Sequence, residues 1–435
     1  MGRIVYVTGN SFNNLGDLAM IEGFLRELGR QAPGALVTFL GHDPERLRLA
    51  LGPHLERGHD WAWAPAVSVS AHDGWRYLVH VANYRRKGLR PKVGWSRAAA
   101  AARSGRESGH PQLDGLLHAV RGADLVVLGG GGVLNELFGL LEGAWIVCQA
   151  ARTANVPVAA LGQTVGPFRT ERSKRLFREI VDACAVFDLR EGAGSMGWIR
   201  ETGADASKVA VSGDQCLLLE PDTPDRTRGG QPRLALNPRY LPESNPRSLQ
   251  EHLEAVAAVA ESAARAIGAS IEIVPSLYRP PIEGLEEKPH MDRRLGEALR
   301  SRLAGRVEVL VPSGVPTVQS ALQACARADV AFSIAYHPIL FALMSGTPCA
   351  MLCPDSYQAT KNRGLAELWG LPEAVFDLGA PDACDRAASF AQAAIERRDE
   401  LAARLRVRAE ELREAVRDAV RRVLALSPRF SPGSF

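Results

Sequence analysis

Residues 4–17 read IVYVTGNSFNNLGD, and they contain the strand, turn and helix start on which the fold depends. The apolar run 4–7 predicts a buried strand, and the Gly and Asn residues after it tolerate the positive φ angles of a tight turn. The segment 18–28 follows with helical spacing, so its free N–H groups favour an anion at the carboxyl end of the strand. The turn matches neither a P-loop nor a G-x-G-x-x-G dinucleotide loop. Asp17 suits helix capping and catalysis equally well.

The same alternation of short apolar runs and amphipathic stretches continues along most of the chain. Continuous apolar strands separated by helices are typical of a parallel sheet that is covered on both faces. We therefore predict two sets of strands, at residues 4–7, 36–40, 125–128, 156–161, 185–189 and 209–211, and at residues 234–236, 270–274, 307–311, 330–333 and 349–352.

A stretch rich in Pro, Gly, Asp and Arg at 220–232 separates the two sets and is typical of a linker. The predicted fold class is α/β, with two Rossmann-like parallel-sheet domains that face a cleft. We expect an N-terminal domain at 1–225, a C-terminal domain at 226–382, and a long helical tail at 383–435 that packs back. The tail has apolar residues at helical spacing, and its dense Arg and Glu residues indicate a solvated helix face.

The segment 61–106 does not follow this pattern. It holds four of the seven tryptophans and a basic cluster of Arg85, Arg86, Lys87, Arg90 and Lys92. Long segments of this kind in a compact domain are often functional. We interpret it as an insertion decorated with short helices, while a lid, an acceptor platform and a peripheral membrane contact stay open.

The bulk composition excludes several function classes. A length of 435 residues predicts two or three domains, and the net charge of +3, with scattered basic residues, predicts no nucleic-acid partner. No signal peptide and no apolar run long enough for a membrane span are recognised. The seven cysteines lie mostly in apolar segments, which predicts reduced thiols and a cytoplasmic location. Cys349 and Cys353 lack a second ligand pair, so neither a metal nor an organic cofactor is expected.

Two further glycine-rich segments follow predicted strands. Residues 129–132 are four consecutive glycines, with Asn135 and Glu136 predicted one turn into the next helix. Close packing would explain such a run, but its length favours contact between the backbone and a ligand. Residues 162–168 form the third loop. Because the carboxyl ends of parallel strands meet at one edge of the sheet, we expect these loops to converge on a ligand.

In the second half, residues 333–338 read SIAYHP and lead from a strand into a helix at 339–344. Pro338 suits the first helical turn, which places His337 at or near the N-cap, where proton-transfer chemistry could use it. Structural and catalytic roles are equally open for this histidine. Tyr357, Lys361 and Arg363 then supply a hydroxyl and two cations that could hold a dianion or lie on a solvated helix.

Taken in order, these motifs resemble the polysaccharide pyruvyl transferase family. The resemblance covers roughly residues 4–371 and lapses over 61–106. It implies a two-domain fold like that of the GT-B glycosyltransferases. It also implies transfer of the pyruvyl group of phosphoenolpyruvate onto two hydroxyls of a sugar or glycan, as in polysaccharide biosynthesis. The matching segments are Asn14-x-Gly16-Asp17, 129–132, 162–167, Arg190 with Ser195, 211–214, Tyr336-His337 to Pro348, and 357–361.

The resemblance also implies roles for single residues. A donor with a phosphate and a carboxylate requires cations and backbone N–H groups. The catalytic residues are then His337 and Asp17, and the donor-binding residues are Arg190, Arg239, Tyr336, Lys361 and Arg363. The acceptor or loop-binding residues are Asn14, Gly16, Gly130, Gly131, Gln163 and Thr164.

One position departs from the family pattern. Family members carry Arg two residues before the histidine, where this chain has Ala335, and alanine cannot replace a bidentate contact with an anion. Either Arg239, Arg279 or Arg363 takes over, or the donor has become a nucleotide sugar or a small metabolite. A non-catalytic binding homologue is the third alternative. The acceptor and the oligomeric state stay open.

Overall fold

The computed structural model describes residues 1–8, 13–41, 61–66, 69–70, 92–221, 230–278 and 286–430. The turn residues 9–12, residues 67–68 and 71–91 of the insertion, most of the linker and Arg279 lie outside the described residues. Contacts divide the chain into two units. Unit 1 comprises Met1–Phe12, Met20–Leu218 and Ala415–Phe435, and unit 2 comprises Asn13–Ala19 and Leu219–Glu414.

Unit 1 contains a sheet of eight described strands, all paired in parallel. Its strands are β1 (Arg3–Val7), β2 (Leu36–Gly41), β3 (Trp61–Pro65), β6 (Leu125–Leu128), β7 (Gly131–Leu134), β8 (Val158–Val165), β9 (Cys184–Leu189) and β10 (Val209–Val211), and a separate pair consists of β4 (Val69–Ser70) and β5 (Val93–Gly94). The order is β10-β9-β8-β6-β1-β2-β3, with β7 beside the carboxyl end of β8. The order reverses between β1 and β6, which creates a topological switch point.

Unit 2 contains a six-stranded parallel sheet. Its strands are β11 (Arg233–Asn237), β12 (Ser270–Ile273), β13 (Val309–Leu310), β14 (Val330–Ser333), β15 (Cys349–Cys353) and β16 (Val375–Asp377). The order β13-β12-β11-β14-β15-β16 is that of a Rossmann sheet, with the switch point between β11 and β14. Every residue of β15 is buried, as expected for a strand covered on both faces.

The described residues contain thirteen α-helices. They are α1 (Leu15–Gln31), α2 (Trp95–Ser104), α3 (Pro111–Arg121), α4 (Leu141–Thr153), α5 (Glu171–Ala183), α6 (Ala193–Thr202), α7 (Leu249–Ile267), α8 (Asp292–Leu303), α9 (Val318–Arg327), α10 (Tyr336–Met344), α11 (Ser356–Trp369), α12 (Ala383–Glu396) and α13 (Arg398–Leu424). None of these helices combines the length and the hydrophobicity that crossing a membrane requires. The predicted class, two parallel-sheet α/β halves with a long C-terminal helix, is confirmed.

Two local predictions are wrong. Strand β8 continues to Val165, so residues 162–165 belong to the strand; Gly162 has a φ of +57°, and the register with β9 shifts beside it. No helix begins at Asn135, whose side chain instead closes a turn by donating to the Gly132 carbonyl at 2.7 Å. The predicted helical tail comprises α12 and the 27-residue helix α13, and the helical run is interrupted at Arg397.

Candidate active site

The switch point of unit 2 is built around Asn237, the last residue of β11. Its side-chain nitrogen donates to the Val274 carbonyl and to a carboxylate oxygen of Asp292, both at 2.9 Å. Its side-chain oxygen accepts the backbone N–H groups of Ala335 at 3.2 Å and Arg239 at 3.3 Å. A single buried amide therefore fixes the two loops that leave β11 and β14.

Asp292, the first residue of α8, supplies the buried carboxylate of this site. Its carboxylate is fully buried and accepts from the Ser276 N–H at 2.7 Å, the Ser276 hydroxyl at 3.1 Å and the Leu277 N–H at 2.8 Å. Arg239 Nε lies 3.1 Å from the other oxygen. A buried charge is tolerated only when it is paired and hydrogen-bonded, and its place in the first turn of α8 also suits the helix dipole.

Arg239 is held by the same group of residues but keeps part of its guanidinium available. Its side chain is 12% exposed, Nε is bonded to Asp292, and Nη2 donates to the Ser276 hydroxyl at 2.5 Å. Nη1 makes no hydrogen bond within the described part of the chain. An arginine with a fixed orientation and an unused N–H edge can bind an anion with little loss of side-chain entropy.

The loop after β12 also holds the start of α1. The Leu15 N–H donates to the Ser276 carbonyl at 2.8 Å, and the Tyr278 N–H donates to the Asn13 carbonyl at 2.9 Å. Asn14 forms an antiparallel bridge with Leu277. The motif that follows the first strand is therefore anchored to the backbone next to Asp292.

His337 lies at the second position of α10, directly after the N-cap Ala335 and Tyr336. It is 6% exposed, and its ring lies 5.5 Å from the Tyr336 ring and 6.3 Å from the Phe341 ring. A Cβ atom at Gly16 would lie 1.7 Å from His337 Nδ1. Glycine at position 16 is thus required for the imidazole to pack against the first turn of α1.

The beginning of α1 also settles which residue caps this helix. Asn14 Oδ1 accepts the Gly16 N–H at 3.1 Å, and Asn14 Nδ2 donates to Asp17 Oδ1 at 3.2 Å. Asn14 therefore caps the helix, and Asp17 lies in its first turn beside Gly16. The catalytic role of Asp17 stays a prediction.

In unit 1 the glycine run makes room for protein side chains. A Cβ at Gly129 would lie 2.4 Å from the Tyr6 ring, and a Cβ at Gly130 would lie 2.3 Å from Gln215 Oε1. A Cβ at Gly162 would lie 2.6 Å from the same Gln215 atom. Close packing, the alternative to ligand contact, thus accounts for these three glycines.

Gln163 lies at the switch point of unit 1. Its Nε2 donates to the carbonyls of Leu128, Gly129 and Leu161 at 2.7–3.1 Å. With Thr8 and a largely aliphatic wall, it lines a cavity of about 60 Å³. Gly131, with a φ of +125°, pairs with Gln163 in the sheet. Acceptor binding by these residues stays a prediction.

Arg190 and Thr164 belong to a buried polar network in unit 1. Arg190 is 2% exposed, and it donates from Nε to Thr164 Oγ1 at 2.6 Å and from Nη1 to Asp214 at 3.1 Å. Glu191 lies 3.4 Å from Nε, and Ser195 donates to Glu191 at 2.8 Å. The charge of Arg190 is therefore balanced by carboxylates of the same unit.

The donor-binding role of the two cations predicted on α11 stays a prediction. Lys361 Nζ lies over the Tyr357 ring at 4.8 Å. Arg363 lines a pocket of about 750 Å³ whose described lining includes neither His337 nor Arg239. The sequence analysis missed Asn237, Ser276 and Asp292. The switch-point rule identifies Asn237, the final residue of the first strand in the second set, but no local signal marks Asp292.

Comparison with known proteins gives the same architecture. The solved structures similar to this chain include the Anabaena protein HepE in complex with UDP, at 12% identity and a TM-score of 0.59, covering 98% of this chain and 100% of that one. UDP-GlcNAc 2-epimerase from Neisseria meningitidis, bound to UDP-GlcNAc, is 11% identical with a TM-score of 0.56 and the same coverage. These likenesses show the fold alone. No curated protein matches the chain.

The sequence profile of the polysaccharide pyruvyl transferase family matches residues 14–356. The matched region begins at the asparagine that caps α1 and includes both the Asn237 switch point and the His337 turn. Because this match covers well over half of its length, the chain belongs to the polysaccharide pyruvyl transferase family.

Proposed function

We propose that this protein transfers the pyruvyl group of phosphoenolpyruvate to two hydroxyls of a sugar or glycan and closes a cyclic ketal. Membership of the family supports a glycan-modifying transferase. One observation carries the choice of donor site, namely that Asn237 binds both the loop of Arg239 and the loop that leads to His337. A cation and a candidate proton donor are thereby fixed at one switch point.

In this proposal Arg239 binds the negative charge of the donor. Phosphoenolpyruvate carries a phosphate and a carboxylate, and a guanidinium with an unused N–H edge matches either group. Both arginines are paired with a buried aspartate. Arg239 is preferred because Arg190 has a second carboxylate, Glu191, 3.4 Å from its Nε and is 2% exposed, whereas Arg239 is 12% exposed and its Nη1 makes no hydrogen bond within the described residues. Arg239 also compensates for the alanine at position 335.

His337 then supplies the proton that starts the reaction. It protonates the methylene carbon of the donor, and an acceptor hydroxyl forms a bond to C2. The C2–O bond to phosphate breaks, and a second hydroxyl closes the ketal. Of the two protons released by the hydroxyls, one restores His337 and the other leaves with phosphate. Asp17, in the first turn of α1 beside Gly16, is the proposed base for an acceptor hydroxyl.

A nucleotide sugar is the second candidate donor. Solved structures with a similar fold are bound to UDP or to UDP-GlcNAc, and such a donor would not need the arginine that Ala335 replaces. The two candidates differ in the ligand that the purified protein should bind.

The test is calorimetric titration of phosphoenolpyruvate, UDP and UDP-GlcNAc into the purified full chain. We expect phosphoenolpyruvate to bind in the micromolar to millimolar range, and Arg239→Ala to weaken it by about tenfold or more, the value of a charge-assisted hydrogen bond. Arg300→Ala is the matched control, because Arg300 is an exposed arginine of α8. UDP-GlcNAc binding without phosphoenolpyruvate binding would overturn pyruvyl transfer.

The role of His337 is tested by the reaction itself. The wild-type protein is incubated with phosphoenolpyruvate and a panel of sugars, and the release of phosphate and the mass of the sugar product are followed. His337→Ala should still bind phosphoenolpyruvate but should form no ketal. Full activity in this variant would exclude His337 as the proton donor.

A further inference from the structure

A pocket of about 750 Å³ opens in unit 2 at the carboxyl ends of β15 and β16. Its volume lies within the range typical of small-molecule sites. None of the residues that form the switch-point site lines it within the described part of the chain. The pocket is therefore distinct from the switch-point site.

One wall of this pocket is a polar stripe on α11. Ser356, Thr360, Arg363 and Glu367 recur at helical spacing and all line the pocket. The residues of this stripe are exposed to solvent. Asp377, the last residue of β16, also lines the pocket, and its Oδ1 accepts the Gly379 N–H at 2.7 Å.

Some of the charged groups in the pocket already have protein partners. Both oxygens of Asp355 are engaged, by the Gln358 N–H at 2.8 Å and by the Ser244 hydroxyl at 3.1 Å. The Arg386 guanidinium lies over the Phe376 ring at 4.7 Å. These groups shape the pocket, and its binding capacity must come from the other side chains.

Arg363 and Glu367 provide that capacity. They lie four residues apart on α11, a spacing at which opposite charges usually interact. No ion pair or side-chain hydrogen bond of either residue is formed within the described residues, and the arginine precedes the glutamate, which is the less favourable order. A cation and an anion one helical turn apart thus face the same pocket with their bonding groups unused.

This arrangement selects a class of ligand. A guanidinium binds a phosphate or a carboxylate through two parallel bonds, whereas a carboxylate accepts bonds from hydroxyls. The separation of one helical turn, about 5–6 Å between Cβ atoms, suits groups at opposite ends of a six-membered sugar ring. No aromatic ring belongs to the described lining, so nothing there would stack on a nucleobase.

We propose that this pocket binds a sugar that carries an anionic group, with Arg363 on the anion and Glu367 and Asp377 on the hydroxyls. A sugar phosphate and a uronic acid share this chemistry. The site is separate from the proposed pyruvyl transfer and does not depend on it.

The experiment is calorimetric titration of the full chain with glucose 1-phosphate, glucuronate, glucose and inorganic phosphate. At least one of the two charged sugars should bind at least tenfold more tightly than glucose or inorganic phosphate, and the stronger of the two identifies the anionic group. Arg363→Ala should weaken this binding by about 10- to 100-fold, the loss of a charge-assisted hydrogen bond. Glu367→Gln should lower the affinity for the charged sugar and leave the affinity for inorganic phosphate unchanged.

Arg300→Ala again serves as the control and should leave the affinity for the charged sugars unchanged. Arg239→Ala is expected to weaken phosphoenolpyruvate binding but should leave the affinity for the charged sugar unchanged. The two proposals can therefore fail separately. The pocket proposal is overturned if the charged sugars bind no more tightly than glucose. It is also overturned if Arg300→Ala loses as much affinity as Arg363→Ala.

Discussion

Unit 1 and unit 2 each contain an arginine that follows a strand of the central sheet and pairs with a buried aspartate. Arg190 follows β9, and Arg239 follows β11. Arg190 is 2% exposed and bonds to Thr164 and Asp214, with Glu191 close by. Arg239 is 12% exposed and bonds to Asp292 and Ser276, with one edge unused. In the proposed function the first arginine stabilises its unit, whereas the second binds the donor.

The difference lies in the number of protein acceptors around each guanidinium. Two carboxylates and a hydroxyl surround Arg190. One Asp292 oxygen accepts from Asn237 and from the backbone N–H groups of residues 276 and 277, and the other accepts from Arg239 Nε. A buried arginine is therefore a candidate ligand-binding group only when its partners leave donors unused.

The largest effect is expected from Arg190→Ala. Removing one partner of a buried ion pair leaves Asp214 and Glu191 uncompensated, which costs about 3–5 kcal/mol. Urea denaturation should therefore show a large fall in the free energy of unfolding of Arg190→Ala. The fall for Arg239→Ala should be clearly smaller. Equal losses in the two variants would contradict the distinction between these arginines.

The next largest effect is expected from Gly16→Ala. The added Cβ would occupy the space of His337 Nδ1, 1.7 Å away, and displacement of a reacting group by about 1 Å can cost about 100-fold in rate. Ketal formation should fall by that order while binding of phosphoenolpyruvate is largely kept.

Gly197→Ala is the control for this substitution. Gly197 also lies on a helix, α6, and a Cβ atom added there would meet no atom within 4 Å. It should retain full activity. A Gly16→Ala variant as active as Gly197→Ala would show that the imidazole need not pack on α1.

A smaller effect is expected from Asp292→Asn, which tests whether Asp292 positions Arg239. The amide can neither balance the guanidinium charge nor accept all the bonds made to the carboxylate. The KM for phosphoenolpyruvate should rise about tenfold, with kcat less affected. In the Arg239→Ala background the same change should add little, since the two residues act as one unit. Additive losses would indicate independent roles.

The smallest effect concerns pH and a third buried aspartate, Asp188 of unit 1. It accepts from Ser212 at 2.5 Å and pairs with Arg422 of α13 at 3.0 Å. Burial nevertheless raises the pKa of the Asp188 carboxyl above its ordinary value of 3.8. The folded state therefore binds this proton more readily than the unfolded state, and the contribution of Asp188 to stability falls as the pH rises through that pKa.

Asp188→Asn removes this titration. The free energy of unfolding of the variant, relative to the wild type, should increase from about pH 4 to about pH 7. Chemical denaturation across this range measures the difference. A difference that is constant with pH would show that the Asp188 pKa is not raised.

Much of the fold could be predicted from local patterns. Apolar runs of the right length predicted most strands of both sheets, though not β3, β7 and β16. The predicted starts of α1 and α10 lie within three residues of those observed. The prediction failed where geometry departs from the pattern. Gly162 does not end β8, because the strand continues through a register shift. Asn135 does not begin a helix, because its side chain bonds locally.

The candidate site was predicted in part. His337, Gly16 and Arg239 were all named from the sequence, together with Lys361 and Arg363. In the structure Lys361 lies over the Tyr357 ring and Arg363 lines a pocket of its own. Asn237 and Asp292 were missed, since neither forms a motif with its neighbours in sequence.

The sequence by itself determined most of the elements and their parallel arrangement, because these follow from local hydrophobicity and backbone freedom. Only the tertiary structure decided which arginine is neutralised and which keeps unused donors. The reason is physical. Arg190 meets Asp214 across 24 residues and Arg239 meets Asp292 across 53, so the partner that sets the state of each charge is chosen by chain packing and leaves no local pattern.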